Sequence, residues 1–491
     1  MFNFFFIVAV FVVYISVLFL IAEYVERKSA AGKNIGNHPL VYSLSLTVFV
    51  TTWTFYGAVG VAAESGILYV TTYLGPTLII FFWWYLLKKI IKLKELFRIT
   101  SIADFISVRY NKSYSVAAIV TIISIIGIIP YISIQLKSIV NTVNILSYAE
   151  ANSVGNTFRH FTGPLVTLLM ILFIIIFGSR KLDPTEKHLG VMVAVAVSSI
   201  VKLIAFITVG IFVSYTLFDN IQEIFSRVES QSAVTATGSS TIYITWFFQL
   251  LLGMSAIMFL PRQFHVLVVE NFNYKHIRTA QWLLPAYILL LTFFVVPIAF
   301  GGTLLGYPLN EADTFVLTIP FNAGQRWISL IVFLGGFSAA FGMILVSGMA
   351  MGIMITNHII IPVIRKYSFL MYIRRYVLQL RWLTVTIYIS ICYLFYTYVS
   401  DKFTIVNIGF MSFAAVIQFV PAIIGGLYWV KGNKTGAILG LSSGFVMWLY
   451  TLVYPALMKS GIIANDVLIN GPFGIGFLKP EGLLGFTMFD P

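Results

Sequence analysis

Three cationic side chains stand well inside long apolar runs of this chain, away from the ends, and their residue types could do chemistry there. They are Lys137, Lys202 and Arg262. A charge inside a bilayer costs about 2.5–3.5 kcal/mol on insertion scales, so each one is a functional hypothesis. No Asp or Glu lies in the middle of these runs, and no catalytic set or Gly-rich ATP site accompanies the cations. The pattern favours solute binding and ion movement and indicates that the protein is not an enzyme.

The composition indicates that these runs lie in a membrane. Hydrophobic residues make up 59% of the 491 residues and charged residues 10%, against about 45–50% and about 25% in soluble proteins. The excess apolar surface must face lipid, which excludes soluble enzymes, nucleic-acid binders and disordered scaffolds. The net charge of +13 then reports which side the loops occupy, with no nucleic acid as partner. Cys392 lies in an apolar run, so neither a disulfide framework nor a cysteine metal site is expected.

Twelve apolar runs are long enough to span a bilayer. They lie near 3–23, 39–63, 66–87, 114–146, 163–179, 188–218, 243–269, 279–302, 327–362, 378–399, 404–430 and 435–458. The first run has no basic residue before it, so we interpret it as a retained helix with its amino terminus outside. The loops that are then inside carry most of the Lys and Arg, as the positive-inside rule requires. Residues 99–110 are expected to form a surface helix with Ile99, Ile102, Phe105 and Ile106 on one face.

Two of the predicted spans contain helix-breaking and polar residues at membrane depth. Helix 2 contains TTWTFYGAVG (51–60), and helix 7 contains GMSAIMFLPRQFHV (253–266). Transporters place such broken helices at their binding sites, often at matching positions of two inverted repeats. Helices 2–6 and 7–11 could form these repeats, although Gly and Pro are also common in ordinary membrane helices. The corresponding segments are 1–38 (first helix and inner loop), 39–218 (first repeat), 219–242 (outer loop), 243–430 (second repeat) and 431–491 (helix 12 and outer segment).

Five motifs resemble the sodium:solute symporter family, closest to the branch fused to bacterial sensor histidine kinases. They are SLTVFVTTWTFYGAVG (45–60), ITSIADFISVRY (99–110), GIIPYISIQLKSI (127–139), FLPRQFHV (259–266) and FAAVIQFVPAIIGGLYW (413–429). The resemblance implies an all-α integral membrane protein of leucine-transporter-like fold, with two inverted five-helix repeats plus flanking helices. It also implies a multi-pass protein of the bacterial cytoplasmic membrane. Residues 482–491 resemble the lead-in to a thirteenth helix, and a kinase domain could be encoded downstream.

The polar residues of helices 2 and 7 are the candidates for binding the solute. They are Thr51, Thr52, Trp53, Tyr56, Gln249 and Ser255. A broken helix offers free N–H groups that suit a carboxylate, and Trp or Tyr can cover an aromatic or imidazole group. Packing between helices is the alternative role for any one of these hydroxyl groups.

The ion site of the family is altered in this sequence. Members place a pair of hydroxyl residues on helix 9, and the positions that we aligned with them are Gly352 and Ile353, with Ser347 and Thr356 nearby. Lys202 of helix 6 is expected beside that place. It could substitute for sodium and carry a proton, or it could only donate hydrogen bonds to carbonyl groups of helix 2. The coupling ion is therefore the proton or sodium, and no other cofactor is expected.

Four further residues are candidates for a gate or a solute pathway: Gln135, Lys137, Arg262 and Gln263. Lys137 could instead extend to the outer interface, and Arg262 could be an anchor at the inner interface. His265 and His358 have no partner at metal-ligand spacing, so no metal site is expected.

The sequence favours a secondary transporter of a small organic solute, by alternating access. An amino acid such as histidine or proline is the expected solute. The alternative is the solute-sensing transmembrane input module of a sensor histidine kinase.

Overall fold

A computed structural model describes residues 2–33, 35–147, 153–178, 188–230, 240–400, 403–464 and 466–485. These described residues form helices and no strand. The principal helices of the first half are α1 (Phe4–Ala30), α2 (Pro39–Ser45), α3 (Ala58–Ser65), α4 (Val70–Phe97), α5 (Ile102–Arg109), α6 (Tyr114–Ser147), α7 (Ser153–Gly178), α8 (Leu189–Phe212), α9 (Ile221–Ser230), α10 (Ser240–Phe259) and α11 (Pro261–Phe264). Those of the second half are α12 (His276–Thr292), α13 (Val295–Leu304), α14 (Phe315–Asn322), α15 (Arg326–Ile355), α16 (Ile361–Lys366), α17 (Val377–Tyr398), α18 (Ile405–Ile417), α19 (Phe419–Tyr428), α20 (Lys434–Trp448), α21 (Tyr454–Lys459) and α22 (Asp466–Asn470).

The chain is a multi-pass membrane protein. Within the described residues, nine helices are long and apolar enough to cross a membrane, or up to eleven if each of two bent pairs is one span. A shorter apolar helix covers Phe161–Phe177. Together these helices coincide with the twelve spans predicted from hydropathy. The expected inner loop at 180–187 and residues 231–239 of the expected outer loop at 219–242 lie outside the described residues.

Both predicted helix breaks are present. The first pair, Pro39–Phe49 and Trp53–Ser65, bends by 65°, and the second, Tyr243–Phe259 and Pro261–Val269, bends by 47°. At the first break Val50 is extended, with φ −78° and ψ 97°. At the second break Leu260 is extended because Pro261 follows it and disfavours helical backbone before its ring. Four spans lie between the two broken helices, so the broken helices cross the bilayer in opposite directions.

Burial separates the central helices from the flanking ones. In the most apolar stretch of each span, 78% of the α15 residues are buried, against 17% in α1 and 11% in α20. The α15 helix packs closely on α8, where a methyl group added at Gly335 would lie 2.3 Å from the Ala205 Cβ. Helices in a membrane associate mainly through van der Waals packing, because no hydrophobic effect drives them together there. Small residues allow their backbones to approach closely. The central position therefore belongs to α15, and α1 and α20 face lipid.

The α5 helix confirms that the segment 99–110 contains a helix, and its place at the inner membrane surface stays a prediction. The N-cap residue of α5 is Ser101, whose hydroxyl oxygen accepts a hydrogen bond from the Asp104 backbone N–H. Three residues of the predicted apolar face, Ile102, Phe105 and Ile106, are buried. The ring of Phe105 contacts that of Phe264 at 5.6 Å, so α5 packs against the inner half of the second broken helix.

Candidate functional site

The first helix break is closed by the ammonium group of Lys202. A 3-10 turn over Leu46–Phe49 precedes the extended Val50, which interrupts the helix. The Lys202 Nζ donates to the carbonyl oxygens of Thr47 at 2.6 Å and Val50 at 2.8 Å. The side chain is 2% exposed, so the ammonium is inside the protein. This matches both roles predicted for Lys202, because a carbonyl cage suits a structural ammonium and a coupling one equally.

Hydroxyl groups extend this cage on both sides. The Thr47 Oγ1 donates to the Ser199 Oγ at 2.5 Å, and the Tyr287 hydroxyl donates to the Ser199 carbonyl at 2.7 Å. The Lys202 Nζ also lies 5.8 Å from the centre of the Tyr287 ring. The ammonium is therefore surrounded by oxygen acceptors and one aromatic face.

The predicted solute residues Thr51 and Thr52 contact α6 directly. The Thr51 and Tyr131 hydroxyls share a hydrogen bond of 3.1 Å. The backbone N–H and the hydroxyl of Thr52 both donate to the Gln135 Oε1, at 3.2 and 2.9 Å. The Gln135 amide in turn donates to the Tyr131 carbonyl at 3.2 Å. Gln135, expected in the pathway, thus accepts the backbone N–H of Thr52 at the break.

The predicted residue Trp53 lies in an aromatic layer. Its indole N–H donates to the Val406 carbonyl at 3.2 Å. Its ring lies 5.6 Å from that of Phe410 and 5.4 Å from that of Phe413. The Phe413 ring also lies 5.4 Å from that of Tyr131. Ring contacts therefore connect the first break to α6 and α18.

Gln249 and Ser255, the two predicted solute residues of α10, make their hydrogen bonds away from the first break. The Thr71 hydroxyl donates to the Gln249 Oε1 at 2.8 Å, which places Gln249 between α4 and α10. The Ser255 hydroxyl donates to the Leu251 carbonyl of its own helix at 2.8 Å. Neither hydrogen bond involves the first break, so the structure does not join these two residues to Thr51 and Thr52.

The structure does not place Gly352 and Ile353 beside Lys202, which corrects that expectation. A methyl group at Gly342 would lie 3.8 Å from the Ser198 Oγ, and Gly335 approaches Ala205. Since Lys202 stands between Ser198 and Ala205 on α8, it faces residues 335–342 of α15. Gly352 is about 15 Å further along the helix axis, and a methyl group there would lie 2.9 Å from Val385 of α17.

The residues of α15 next to Gly352 are also far from Lys202. Ile353 is buried next to Gly352, and the Thr356 hydroxyl donates to the Gly352 carbonyl of its own helix at 2.6 Å. Among residues 335–342 the one hydroxyl belongs to Ser338. That hydroxyl donates to the Leu334 carbonyl at 2.6 Å and shares a hydrogen bond of 2.6 Å with Tyr14. Even with the corrected register, α15 offers no pair of hydroxyls opposite Lys202.

Arg262 and Gln263 are both in the interior, which contradicts an interfacial anchor for Arg262. Both side chains are 0% exposed. The Gln263 amide donates to the Leu46 carbonyl at 3.0 Å, which connects the second break to the first. The Arg262 guanidinium lies 4.5 Å from the centre of the Tyr131 ring.

A cavity of about 470 Å³ lies on the predicted outer side of the first break. Its lining includes Tyr56, Glu64, Lys137, Thr142, Asp313 and Thr404. The Lys137 Nζ donates to the carbonyl groups of Ser400 at 2.8 Å and Phe403 at 3.1 Å, so it points into the protein. Burial raises the pKa of Asp313, more than the Ile405 N–H and the Lys137 charge lower it. The predicted residues Tyr56 and Lys137 therefore border one polar chamber.

A second polar cluster, which sequence spacing did not indicate, lies at the predicted inner end of the second broken helix. The Glu270 Oε1 is 2.9 Å from the His188 Nδ1 and 3.2 Å from the His265 Nε2. Burial raises the pKa of Glu270, but the hydrogen bonds and charges of the two imidazoles lower it by more. The pKa of Glu270 is therefore below its usual range. Two imidazoles and a carboxylate are also a donor set that could hold a zinc-type ion. His358 is elsewhere, with its Nε2 3.1 Å from the Ser101 Oγ.

No protein-family model matches the chain. The chain is similar to the uncharacterized symporter YhjB of Bacillus subtilis, with 24% identity over 435 residues, which cover 85% of this chain and 81% of that one. It is also similar to the uncharacterized symporter YodF of the same organism, with 29% identity over 128 residues, 26% of this chain and 25% of that one.

A solved structure shares the fold. It is the substrate-bound outward-open state of a Na⁺-coupled sialic acid symporter, with a TM-score of 0.60 and 13% identity over 93% of this chain and 98% of that one. The fold is therefore that of a Na⁺-coupled symporter, the leucine-transporter-like fold expected from the motifs. These relatives are described as symporters and not as enzymes or kinases.

Proposed function

We propose that this protein is a secondary active transporter that moves a small organic solute across the bacterial cytoplasmic membrane by alternating access. The support is the meeting of two broken helices at one buried polar centre, in a chain whose relatives are symporters. Broken helices that face each other near the middle of a membrane form the solute and ion sites of such transporters. Amino acids, histidine and proline first among them, are the solutes to test.

The proton is the proposed coupling ion. The Lys202 ammonium occupies the carbonyl oxygens of Thr47 and Val50, which are oxygen ligands of the kind that sodium binds. No second hydroxyl ligand faces it from residues 335–342 of α15. A cation entering this cage would also meet electrostatic repulsion from the ammonium. Release and uptake of a proton by Lys202 would then replace the release and uptake of sodium.

The experiment is uptake of labelled amino acids into proteoliposomes under a proton gradient and, separately, a sodium gradient. Accumulation above the equilibrium level is expected with the proton gradient. Binding without accumulation under either gradient would contradict a transporter and favour the sensory input module instead. Accumulation driven by sodium alone would keep the transporter but contradict the coupling by Lys202.

A further inference from the structure

The guanidinium of Arg262 is buried without a hydrogen-bond acceptor. Its side chain is 0% exposed, and its Nε and both terminal nitrogens have no hydrogen-bond partner among the described residues. An arginine carries five N–H donors and keeps its charge in a protein. A buried polar group left unpaired costs free energy comparable to a lost hydrogen bond, and more for a charged group. Such a group in the interior requires an explanation.

Two other buried cations of the described chain, Lys202 and Lys94, are paired with carbonyl groups. Lys202 donates to Thr47 and Val50, and the Lys94 ammonium donates to the Asn271 carbonyl at 3.0 Å. The buried carboxylate of Glu270 is held by His188 and His265. Arg262 differs, because its guanidinium lies over the face of the Tyr131 ring and makes no hydrogen bond of normal geometry with a described residue. That contact stabilises a positive charge but accepts none of the N–H groups.

The chain holds Arg262 in this position from both sides. Pro261 begins the second half of the broken helix directly after the extended Leu260, so Arg262 lies at the break itself. The next residue, Gln263, donates to the Leu46 carbonyl beside the first break. The Tyr131 ring under the guanidinium carries the hydroxyl that hydrogen-bonds Thr51. Arg262 is therefore fixed between the two breaks, where the proposed function places the solute.

We infer that Arg262 binds the carboxylate group of the transported solute. A planar guanidinium matches a carboxylate with two parallel N–H···O bonds, and burial strengthens such a pair. The Thr51 and Tyr131 hydroxyls are the neutral polar groups beside the guanidinium's aromatic platform, and they could bind the rest of the solute. This inference rests on the proposed transport function and adds a solute class to it.

The same arrangement links the solute to the proton. Lys202 binds the Thr47 carbonyl, and Gln263, the residue after Arg262, binds the adjacent Leu46 carbonyl. Two like charges therefore lie beside the first break, in an interior of low dielectric. A solute carboxylate on Arg262 would reduce the positive potential at Lys202 and favour a protonated ammonium there. By thermodynamic reciprocity, a proton on Lys202 would tighten carboxylate binding to the same extent.

The solute must pass an aromatic layer to reach this site. The outer cavity ends at Tyr56 and Thr142, whose hydroxyls lie 3.4 Å apart, and neither Trp53 nor Arg262 lines it. Ring contacts from Trp53 through Phe413 to Tyr131 separate the cavity from the guanidinium. The described conformation is therefore closed between the outer cavity and Arg262. Because no solute can reach the guanidinium in this conformation, the guanidinium has no acceptor.

The test measures the thermal midpoint Tm of the purified full-length protein with pairs of probes at millimolar concentration. The probes are histidine, proline, lactate and propionate, each paired with its neutral amide, with inorganic phosphate as a separate anion. At least one carboxylate is expected to raise the Tm while its amide does not. Arg262→Gln should abolish that rise, and Arg262→Lys should reduce it, because an ammonium cannot make the paired bonds. The matched control is Arg381→Gln, another buried arginine, in α17, which should retain the rise.

Three results would overturn the inference. They are a carboxylate-dependent rise that survives in folded Arg262→Gln, stabilisation by the neutral amides or by phosphate alone, and no rise with any carboxylate of the panel. Size-exclusion profiles of the variants exclude misfolding, and Arg262→Lys keeps the test valid if Arg262→Gln does not fold. Proton-driven uptake of a neutral solute would leave the proposed transport function intact while it refutes a carboxylate site.

Discussion

The Gln263 amide donates to the Leu46 carbonyl oxygen at 3.0 Å, and this bond joins the second broken helix to the first beside the two breaks. Both residues are 0% exposed. Alternating access moves one repeat against the other around a fixed site, so a buried bond between the two breaks is one that the transport cycle must make or strain.

Replacement of Gln263 by leucine should therefore impair both stability and transport. The Leu46 carbonyl would lose its side-chain donor inside the protein, which costs about 1–3 kcal/mol. The expected result is a lower Tm together with reduced uptake. The matched control is Gln281→Leu, because the Gln281 amide also donates to a carbonyl of another helix, that of Ile80 at 3.3 Å, away from the breaks. Equal uptake by both variants would show that the bond is only structural.

Removal of the Lys202 ammonium should uncouple uptake from the proton gradient. Lys202→Ala is expected to exchange solute across the membrane but not to accumulate it. Lys202→Arg should also fail to accumulate solute, because a guanidinium keeps its proton throughout the cycle. Uptake under imposed gradients is the measurement, and Lys94→Ala, which removes another buried lysine, is the control. A purely structural Lys202 would allow Lys202→Arg to accumulate solute normally.

Loss of the Trp53 indole should weaken solute binding while the protein remains folded. In Trp53→Phe the ring remains in the aromatic layer, but the hydrogen bond to the Val406 carbonyl is lost. We expect roughly a tenfold loss of affinity, or about 1.4 kcal/mol. Trp448→Phe loses an equivalent bond, to the Met411 carbonyl of the same helix α18 at 2.8 Å, and should bind normally. Equilibrium binding of a labelled solute compares the two; matching affinities would place the solute away from Trp53.

Neutralisation of Asp313 should stabilise the protein at neutral pH. Burial raises the pKa of Asp313 in the folded state above its unfolded value of about 3.9. A raised acid pKa means that ionisation disfavours the fold, by about 1.4 kcal/mol for each pH unit of the difference. Asp313→Asn should therefore have the higher Tm at pH 7, and the gain should vanish as the pH falls to about 4. The exposed Glu311→Gln serves as the control, and a lower Tm of Asp313→Asn at pH 7 would contradict the raised pKa.

The distribution of Lys and Arg predicts that position 366 is inside and position 222 outside. Single cysteines at these two exposed positions, in a Cys392→Ser background, test the topology. An impermeant maleimide added to intact cells should label Gln222→Cys and leave Lys366→Cys unlabelled until the membrane is opened. The reverse pattern would invert the topology and exchange the two faces of the site.

Hydropathy and helix-breaking residues alone determined the spans of this protein and the two broken helices. A span needs about 20 apolar residues whatever its neighbours are, and Gly, Pro and polar residues at depth interrupt it locally. The same local reasoning put Thr51 and Thr52 at the first break, whereas the family resemblance put Lys202 near it, and the structure pairs Lys202 with carbonyl groups there.

Only the tertiary structure decided which residues meet. The α15 helix is apolar on nearly every side, so no periodicity indicates which residues face Lys202, and the expectation for Gly352 and Ile353 was displaced along the helix. Arg262 near a helix end could have reached the interface or the interior, and the packing of Tyr131 and Gln263 decided for the interior. His188 and Glu270 come together from separate helices, a proximity that depends on packing between segments far apart in the chain.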